Sequence, residues 1–184
     1  MRAERRKEMT RKMAFSSIMT ALTVVCLYGS VVLPTGKIAL LAMTSLCVLV
    51  TQAECGTKFA LIQFLASALI GSLLVPFKSQ IVIFILFIGY YPIIKSHMER
   101  IGKRWLEWLV KILFFNAVLI VAYFTLKYFL LAYINFGTIF NIVLSHLIFV
   151  VIIAEIVFVL YDYMLSMLAS YYINVVQKRL KINK

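Results

Sequence analysis

The chain has 184 residues, of which 64% are hydrophobic and 14% are charged, and its formal net charge is +12. An apolar share this far above one half excludes an ordinary soluble domain and indicates an integral membrane protein. The basic residues lie in the gaps between apolar segments, so the positive charge reports membrane topology and does not indicate a nucleic-acid partner. The three cysteines, Cys26, Cys47 and Cys55, lack metal spacing, and we interpret them as small buried hydrophobic residues.

The chain begins with a basic arm, residues 1–13, and then becomes apolar. The first apolar segment has no cleavage site and is long enough to cross a hydrocarbon core of about 30 Å at about 1.5 Å per residue. Five more apolar segments follow. We therefore predict an all-α, single-domain bundle of six transmembrane helices, embedded in lipid. The six segments are roughly residues 14–33, 38–53, 59–76, 80–94, 110–132 and 142–163.

The longest polar interruption is a loop at about residues 95–109. Just before it, Pro92 disfavours helical geometry at Tyr91, so we expect the fourth helix to kink or end there. Trp105 and Trp108 lie three residues apart among basic side chains. This pattern is typical of the headgroup layer of a membrane and of a surface that a partner contacts.

The distribution of lysine and arginine predicts the topology. If both termini are cytoplasmic, 16 of the 19 basic residues lie inside, including those of a basic C-terminal tail at about residues 174–184. Only Lys37, Lys78 and Lys127 then lie outside. The bias follows the positive-inside rule, and we expect a multi-pass membrane protein with both termini inside.

Small side chains form a stripe on the first helix. Ala14, Ser17 and Ala21 fall at three- and four-residue spacing, which creates a smooth face that another helix can approach closely. A second stripe on the third helix contains Ser67 and Gly71. Such stripes serve either packing within the bundle or docking to a partner membrane protein, and both interpretations stay open.

Two carboxylates within the sixth segment form a candidate site. Glu155 and Asp162 are seven residues apart, within about 20° of the same helical face. A carboxylate inside a membrane costs about 2.5 to 3.5 kcal/mol on insertion scales, so it usually has a partner or a task. We expect a polar cluster at this level of the bundle, with the further members Glu54, Tyr90, Tyr91 and Asn116.

The cluster has two interpretations. It is either a buried hydrogen-bond network, with Asp162 paired to a loop lysine or arginine, or a functional site, which is a proton or cation site or a conformational switch that a cytoplasmic partner senses. The sequence has no nucleophile elbow, phosphate-binding glycine loop, HExxH or paired-cysteine metal motif. We therefore expect no catalytic residue, metal or cofactor, and any ATP chemistry would belong to a partner.

The length, six-helix topology, basic arm and first-helix stripe resemble those of the S components of energy-coupling factor (ECF) transporters. In that family an alanine-rich stripe faces a membrane coupling subunit, so the resemblance assigns docking to Ala14, Ser17 and Ala21. It also implies a location in the bacterial cytoplasmic membrane, two cytoplasmic ATPases and uptake of a small solute of the vitamin or micronutrient class. The vitamin-contacting residues of known members cannot be placed here, so the solute stays unassigned.

Other motifs resemble those of small membrane proteins of Gram-positive anaerobes. They lie at residues 54–58, 74–78, 89–95, 111–116 and 161–162. The alternative function is a membrane scaffold of envelope or cell-shape machinery, favoured by the Trp105 and Trp108 loop. A third possibility, a bundle that conducts ions or protons, rests on Glu155 and Asp162 alone.

Overall fold

The computed structural model describes residues 2–33, 36–76, 78–99, 102–131, 147–172 and 174. Within these ranges the chain is helical and contains no strand. Six of its helical segments are long and apolar enough to cross a membrane, which confirms the predicted all-α fold and indicates a multi-pass membrane protein. The elements are α1 (Arg2–Val32), α2 (Lys37–Cys55), α3 (Thr57–Leu74), α4 (Lys78–Ile83), a π-helical segment (Phe84–Ile88), α5 (Tyr91–Met98), α6 (Arg104–Leu131) and α7 (Leu147–Tyr171).

The predicted basic arm is the first part of α1, so the first helix is longer than its apolar segment. Arginine, lysine, glutamate, alanine and methionine are good helix formers, and they make up most of the arm. Lys12 and Glu8 form an ion pair at 2.6 Å with the four-residue spacing that stabilises a helix surface. The helix therefore continues from the arm into the apolar segment without a break.

A glycine turn connects α2 to α3. Gly56 has a φ of 89° and its amide nitrogen donates to the Gln52 carbonyl oxygen at 3.2 Å. A side chain at this φ would be strained, so glycine suits the turn. Because the connection is this short, α2 and α3 are antiparallel neighbours, and both pack against α1.

The fourth span changes helix type where the sequence predicts a kink. The π-helical segment ends at Gly89, and Pro92 occupies the first turn of α5, where its missing N–H costs little. Gly89 permits a close approach, because a Cβ atom there would lie 2.6 Å from Cδ2 of Phe64. The span nevertheless stays helical beyond Pro92 and reaches Met98.

Most of the predicted polar loop at residues 95–109 belongs to helices, since α5 ends at Met98 and α6 begins at Arg104. The helix α7, which forms the sixth span, reaches Tyr171, eight residues beyond the predicted end of that span. The basic tail, apart from residue 174, lies outside the described residues.

The chain divides into two compact units. The first contains Met1–His97 and Met167–Lys184, and its core includes Leu27, Leu41 and Phe84. The second contains Met98–Ser166, and in it α6 and α7 meet through side chains. The single-domain organisation stays a prediction.

Candidate functional site

Three side-chain pairs join α6 to α7 in the second unit. Lys111 contacts Asp162, Phe115 contacts Phe158, and Asn116 contacts Glu155. The residue numbers rise along α6 as they fall along α7, so the two helices are antiparallel. We call these six residues the α6–α7 interface.

The first pair centres on a buried lysine. The Lys111 Nζ atom lies 3.0 Å from Asp162 Oδ2, 2.8 Å from Glu107 Oε1 and 3.4 Å from Glu99 Oε1. The Lys111 and Asp162 side chains are 2% and 3% exposed. An ammonium group has three N–H donors, and here three carboxylates accept them. The buried ammonium group is therefore paired with carboxylates, which is the condition under which a buried cation is tolerated.

The two predicted tryptophans differ in what they contact. Lys111 Nζ lies 5.7 Å from the centre of the Trp108 ring, within the range of a cation–π interaction. Trp108 is thus part of the surroundings of Lys111, whereas Trp105, one turn earlier, is 81% exposed. Docking of a partner at either tryptophan stays a prediction.

An aromatic pair follows the ion pairs along both helices. The Phe115 and Phe158 rings are stacked, with centres 4.3 Å apart and planes 8° apart. Both side chains are buried. The stacked rings form an apolar layer between the charged pair on one side and the Asn116–Glu155 pair on the other.

The third pair joins an amide to a carboxylate. Asn116 Nδ2 donates to Glu155 Oε1 at 3.1 Å and to the Ile112 carbonyl oxygen at 3.0 Å. Both amide hydrogens are therefore used. Asn116 lies eight residues beyond Trp108, which places this pair about 12 Å further along the span.

The predicted polar cluster is therefore divided between the two units. Asn116, Glu155 and Asp162 lie in the α6–α7 interface, whereas Glu54, Tyr90 and Tyr91 belong to the first unit. There, Tyr90 OH donates to the Leu86 carbonyl oxygen. Tyr91 is fully buried, and its ring centre lies 4.8 Å from that of Phe87.

Glu54 has a partner that the sequence analysis did not identify. Tyr172 OH donates to Glu54 Oε1 at 3.1 Å. The pKa of Tyr172 is raised to about 12, mainly because the side chain is buried. The neighbouring Glu54 charge is the second cause of this increase. The contact joins the end of the sixth span to the end of α2 within the first unit.

In one of its two interpretations the sequence analysis paired Asp162 with a loop lysine or arginine, but it did not name Lys111, Glu99 or Glu107 as members of the site. One signal was present, because Glu107 precedes Lys111 by four residues, the spacing of a helical ion pair. A second signal was a lysine at the start of one apolar segment and an acidic residue in another segment. This combination indicates the pairing of Lys111 with Asp162.

The first-helix stripe lies away from the packed face of α1. Ala14, Ser17 and Ala21 are exposed, whereas Ser16 and Thr23 are buried. Gln63 Nε2 of α3 donates to Thr23 Oγ1 at 3.1 Å, and Thr23 Oγ1 donates to the carbonyl oxygen of its own helix at Met19. The predicted stripe is therefore not the face through which α1 packs against α2 and α3.

The second stripe serves internal packing. Ser67 of α3 is fully buried, and a Cβ atom at Gly71 would lie 2.7 Å from Cδ1 of Ile81. The absence of a side chain at Gly71 lets the fourth span approach α3 closely.

Within the described residues, no group of three or more histidine, cysteine, aspartate or glutamate side chains is arranged to hold a metal ion. Comparison of the chain with protein-family models, with curated proteins and with solved structures returned no match. The function is therefore argued from the geometry of the chain itself.

Proposed function

We propose that this protein is an S-component-like subunit of the bacterial cytoplasmic membrane, with both termini in the cytoplasm. In this proposal it binds a small solute, of the vitamin or micronutrient class, from the outer side. It docks onto a membrane coupling subunit, and two cytoplasmic ATPases supply the energy. The chain itself binds and docks and is not an enzyme.

The exposed small-residue face of α1 is the observation that supports docking. Ala14, Ser17 and Ala21 lie on the order of 150° around the helix from Thr23, which faces α3. Larger apolar side chains, such as those of Ile18 and Val25, are exposed near this face. A stripe of small residues at this position lets the backbone of a second helix approach closely, because no large side chain separates the two.

The experiment is purification of the tagged protein from its native membrane in mild detergent, followed by mass spectrometry of the proteins that accompany it. We expect a membrane coupling subunit and two ATPases. Ala21→Leu should lower their recovery about tenfold, which corresponds to about 1.4 kcal/mol of docking free energy.

Ala39→Leu is the matched control, because Ala39 is an exposed alanine of α2 and receives the same added volume. We expect its recovery of partners to equal that of the wild type. Equal loss in both variants would argue against a docking face on α1. Recovery without any ATPase would overturn the transporter proposal.

The exposure of Trp105 favours one alternative function, that of a membrane scaffold in envelope or cell-shape machinery. A tryptophan so placed beside basic residues suits a lipid headgroup layer or a partner at the membrane surface. Co-purification of envelope proteins in the absence of ATPases, with loss on Trp105→Ala, would favour the scaffold over the transporter.

A further inference from the structure

Glu155 and Asp162 lie on the same helix but differ in the charge of their partners. Asp162 contacts the ammonium group of Lys111, whereas the hydrogen-bond partner of Glu155, among the described residues, is the neutral amide of Asn116. Asn116 is near the middle of the span Trp105–Thr125. Glu155 therefore lies at a depth where an ion has little access to water.

Lys111 is the cation of the α6–α7 interface, and all three of its N–H donors already have acceptors. The three donors of Lys111 are shared among Asp162, Glu107 and Glu99. An ionised Glu155 would need a separate counter-charge, since an unpaired carboxylate in hydrocarbon is costly.

A metal ion is a poor candidate for that counter-charge. Hard cations require several oxygen ligands. The α7 residues that flank Glu155 on its own helix, including Ile152, Ile156 and Phe158, have hydrocarbon side chains without oxygen atoms. Among the described residues, the side chains that could supply oxygen ligands at this point are therefore Glu155 and Asn116. Two side chains are too few to hold a hard cation.

We propose that Glu155 holds a proton in the membrane interior and is a site of modification by lipid-soluble carbodiimides. The neutral acid needs no counter-ion, and its carbonyl oxygen accepts the N–H of Asn116. Glu155 is half-buried, and Ile152 and Ile156 beside it are exposed, so a reagent dissolved in lipid reaches it along α7. The proposal is independent of the proposed transport function.

The modification is an addition in which no atom leaves. The carboxyl oxygen of Glu155 attacks the central carbon of the carbodiimide, and the carboxyl proton moves to one of its nitrogens. The acyl group then migrates from oxygen to the other nitrogen, where a C–N bond forms as the C–O bond breaks. The stable product is an N-acylurea, and no oxidation or reduction takes place.

The test uses the full chain in lipid vesicles treated with dicyclohexylcarbodiimide, followed by peptide mass spectrometry. Asp162 is an internal control, because it is a carboxylate of the same helix that is paired with a cation. We expect Glu155 to be modified about tenfold or more over Asp162, since a neighbouring positive charge favours the ionised form. Glu155→Gln should remove the modification of α7. Equal modification of Glu155 and Asp162 would overturn the proposal.

A second measurement does not depend on access of the reagent. A protonated carboxyl group has an infrared carbonyl band that a carboxylate lacks. We expect this band in the wild type at neutral pH and its loss in Glu155→Gln, but not in Asp162→Asn. A spectrum in which Glu155→Gln removes only carboxylate bands would overturn the proposal, whatever the labelling result.

Discussion

The helices α1 to α3 and the helices α6 and α7 are held together in different ways. The first group packs through apolar side chains such as Leu27 and Leu41 and through hydroxylated ones, and Thr23, Thr44 and Thr51 donate to carbonyl oxygens of their own helices. The pair α6 and α7 meets through long side chains that carry charge or an aromatic ring. Shape therefore decides the packing of the first group, and compensation of charge decides that of the second.

The difference also appears in how much of each span is covered. The buried share of the most apolar part of each span is 39% for Ala3–Val32 and 22% for Thr57–Leu74, but 17% for Phe149–Tyr171 and 11% for Trp105–Thr125. In the part of the second unit that the structure describes, α6 and α7 therefore bury little area and depend on a few strong contacts. A single substitution there should have a larger effect than the loss of one hydroxyl group in the first unit.

The largest effect is expected for Lys111→Met. It removes the buried cation that lies 3.0 Å from Asp162 Oδ2, and breaking a buried ion pair should cost about 3–5 kcal/mol of unfolding free energy. The measurement is the midpoint of thermal unfolding in detergent. The control is the double variant Lys111→Met/Asp162→Leu, which removes both buried charges and should recover part of the stability, since Glu107 and Glu99 lose the same cation but are 20% and 40% exposed. A single variant as stable as the wild type would show that Asp162 does not depend on Lys111.

A smaller loss is expected for Gly89→Ala in the first unit. The new Cβ would lie 2.6 Å from Phe64 and 2.9 Å from Phe84, and such overpacking costs about 1–3 kcal/mol. Gly29→Ala is the matched control, because its Cβ would make an ordinary contact of 3.5 Å with Leu40. Alanine in a helix is favoured over glycine by roughly 0.5–1 kcal/mol, so the control should be neutral or stabilising. Equal effects at both glycines would contradict a close approach at Gly89.

The smallest effect is a change with pH at the Glu54–Tyr172 contact. The folded pKa of Tyr172 is about 12 and the unfolded value is near 10, so folding favours the protonated phenol. The contact should contribute its full stability below about pH 10 and lose it as the pH rises through about 12. The measurement is an ultraviolet titration of phenolate, with Tyr172→Phe subtracted to isolate this tyrosine. A difference titration centred near pH 10 would contradict the contact.

Much of the fold followed from the sequence, since the structure places a membrane-length helix at each of the six predicted apolar segments. The helix boundaries were less predictable. The arm extends α1 to Arg2, and the fourth span continues past Pro92 to Met98, because helix-forming residues continue both helices beyond their apolar cores.

The site was also predicted in part, because polar residues are conspicuous within apolar segments. Asn116, Glu155 and Asp162 were recognisable as polar residues within apolar segments, and the structure brings them into one interface. The grouping of Glu54, Tyr90 and Tyr91 with them relied on depth alone, and residues at similar depth can belong to different helix pairs. One interpretation paired Asp162 with a loop lysine or arginine, but Lys111, Glu99 and Glu107 were not named because they lie at the polar ends of segments, where a charge is ordinary.

The sequence by itself determined the number of spans, because the length of an apolar segment is matched to the thickness of a bilayer. It also predicted which carboxylates lie at membrane depth. Only the tertiary structure decided that α1 packs through Ser16 and Thr23 and leaves Ala14, Ser17 and Ala21 exposed, and that Asp162 pairs with Lys111. The physical reason is that hydropathy sets how far along its axis a helix enters the membrane, whereas its rotation about that axis depends on the neighbours against which it packs.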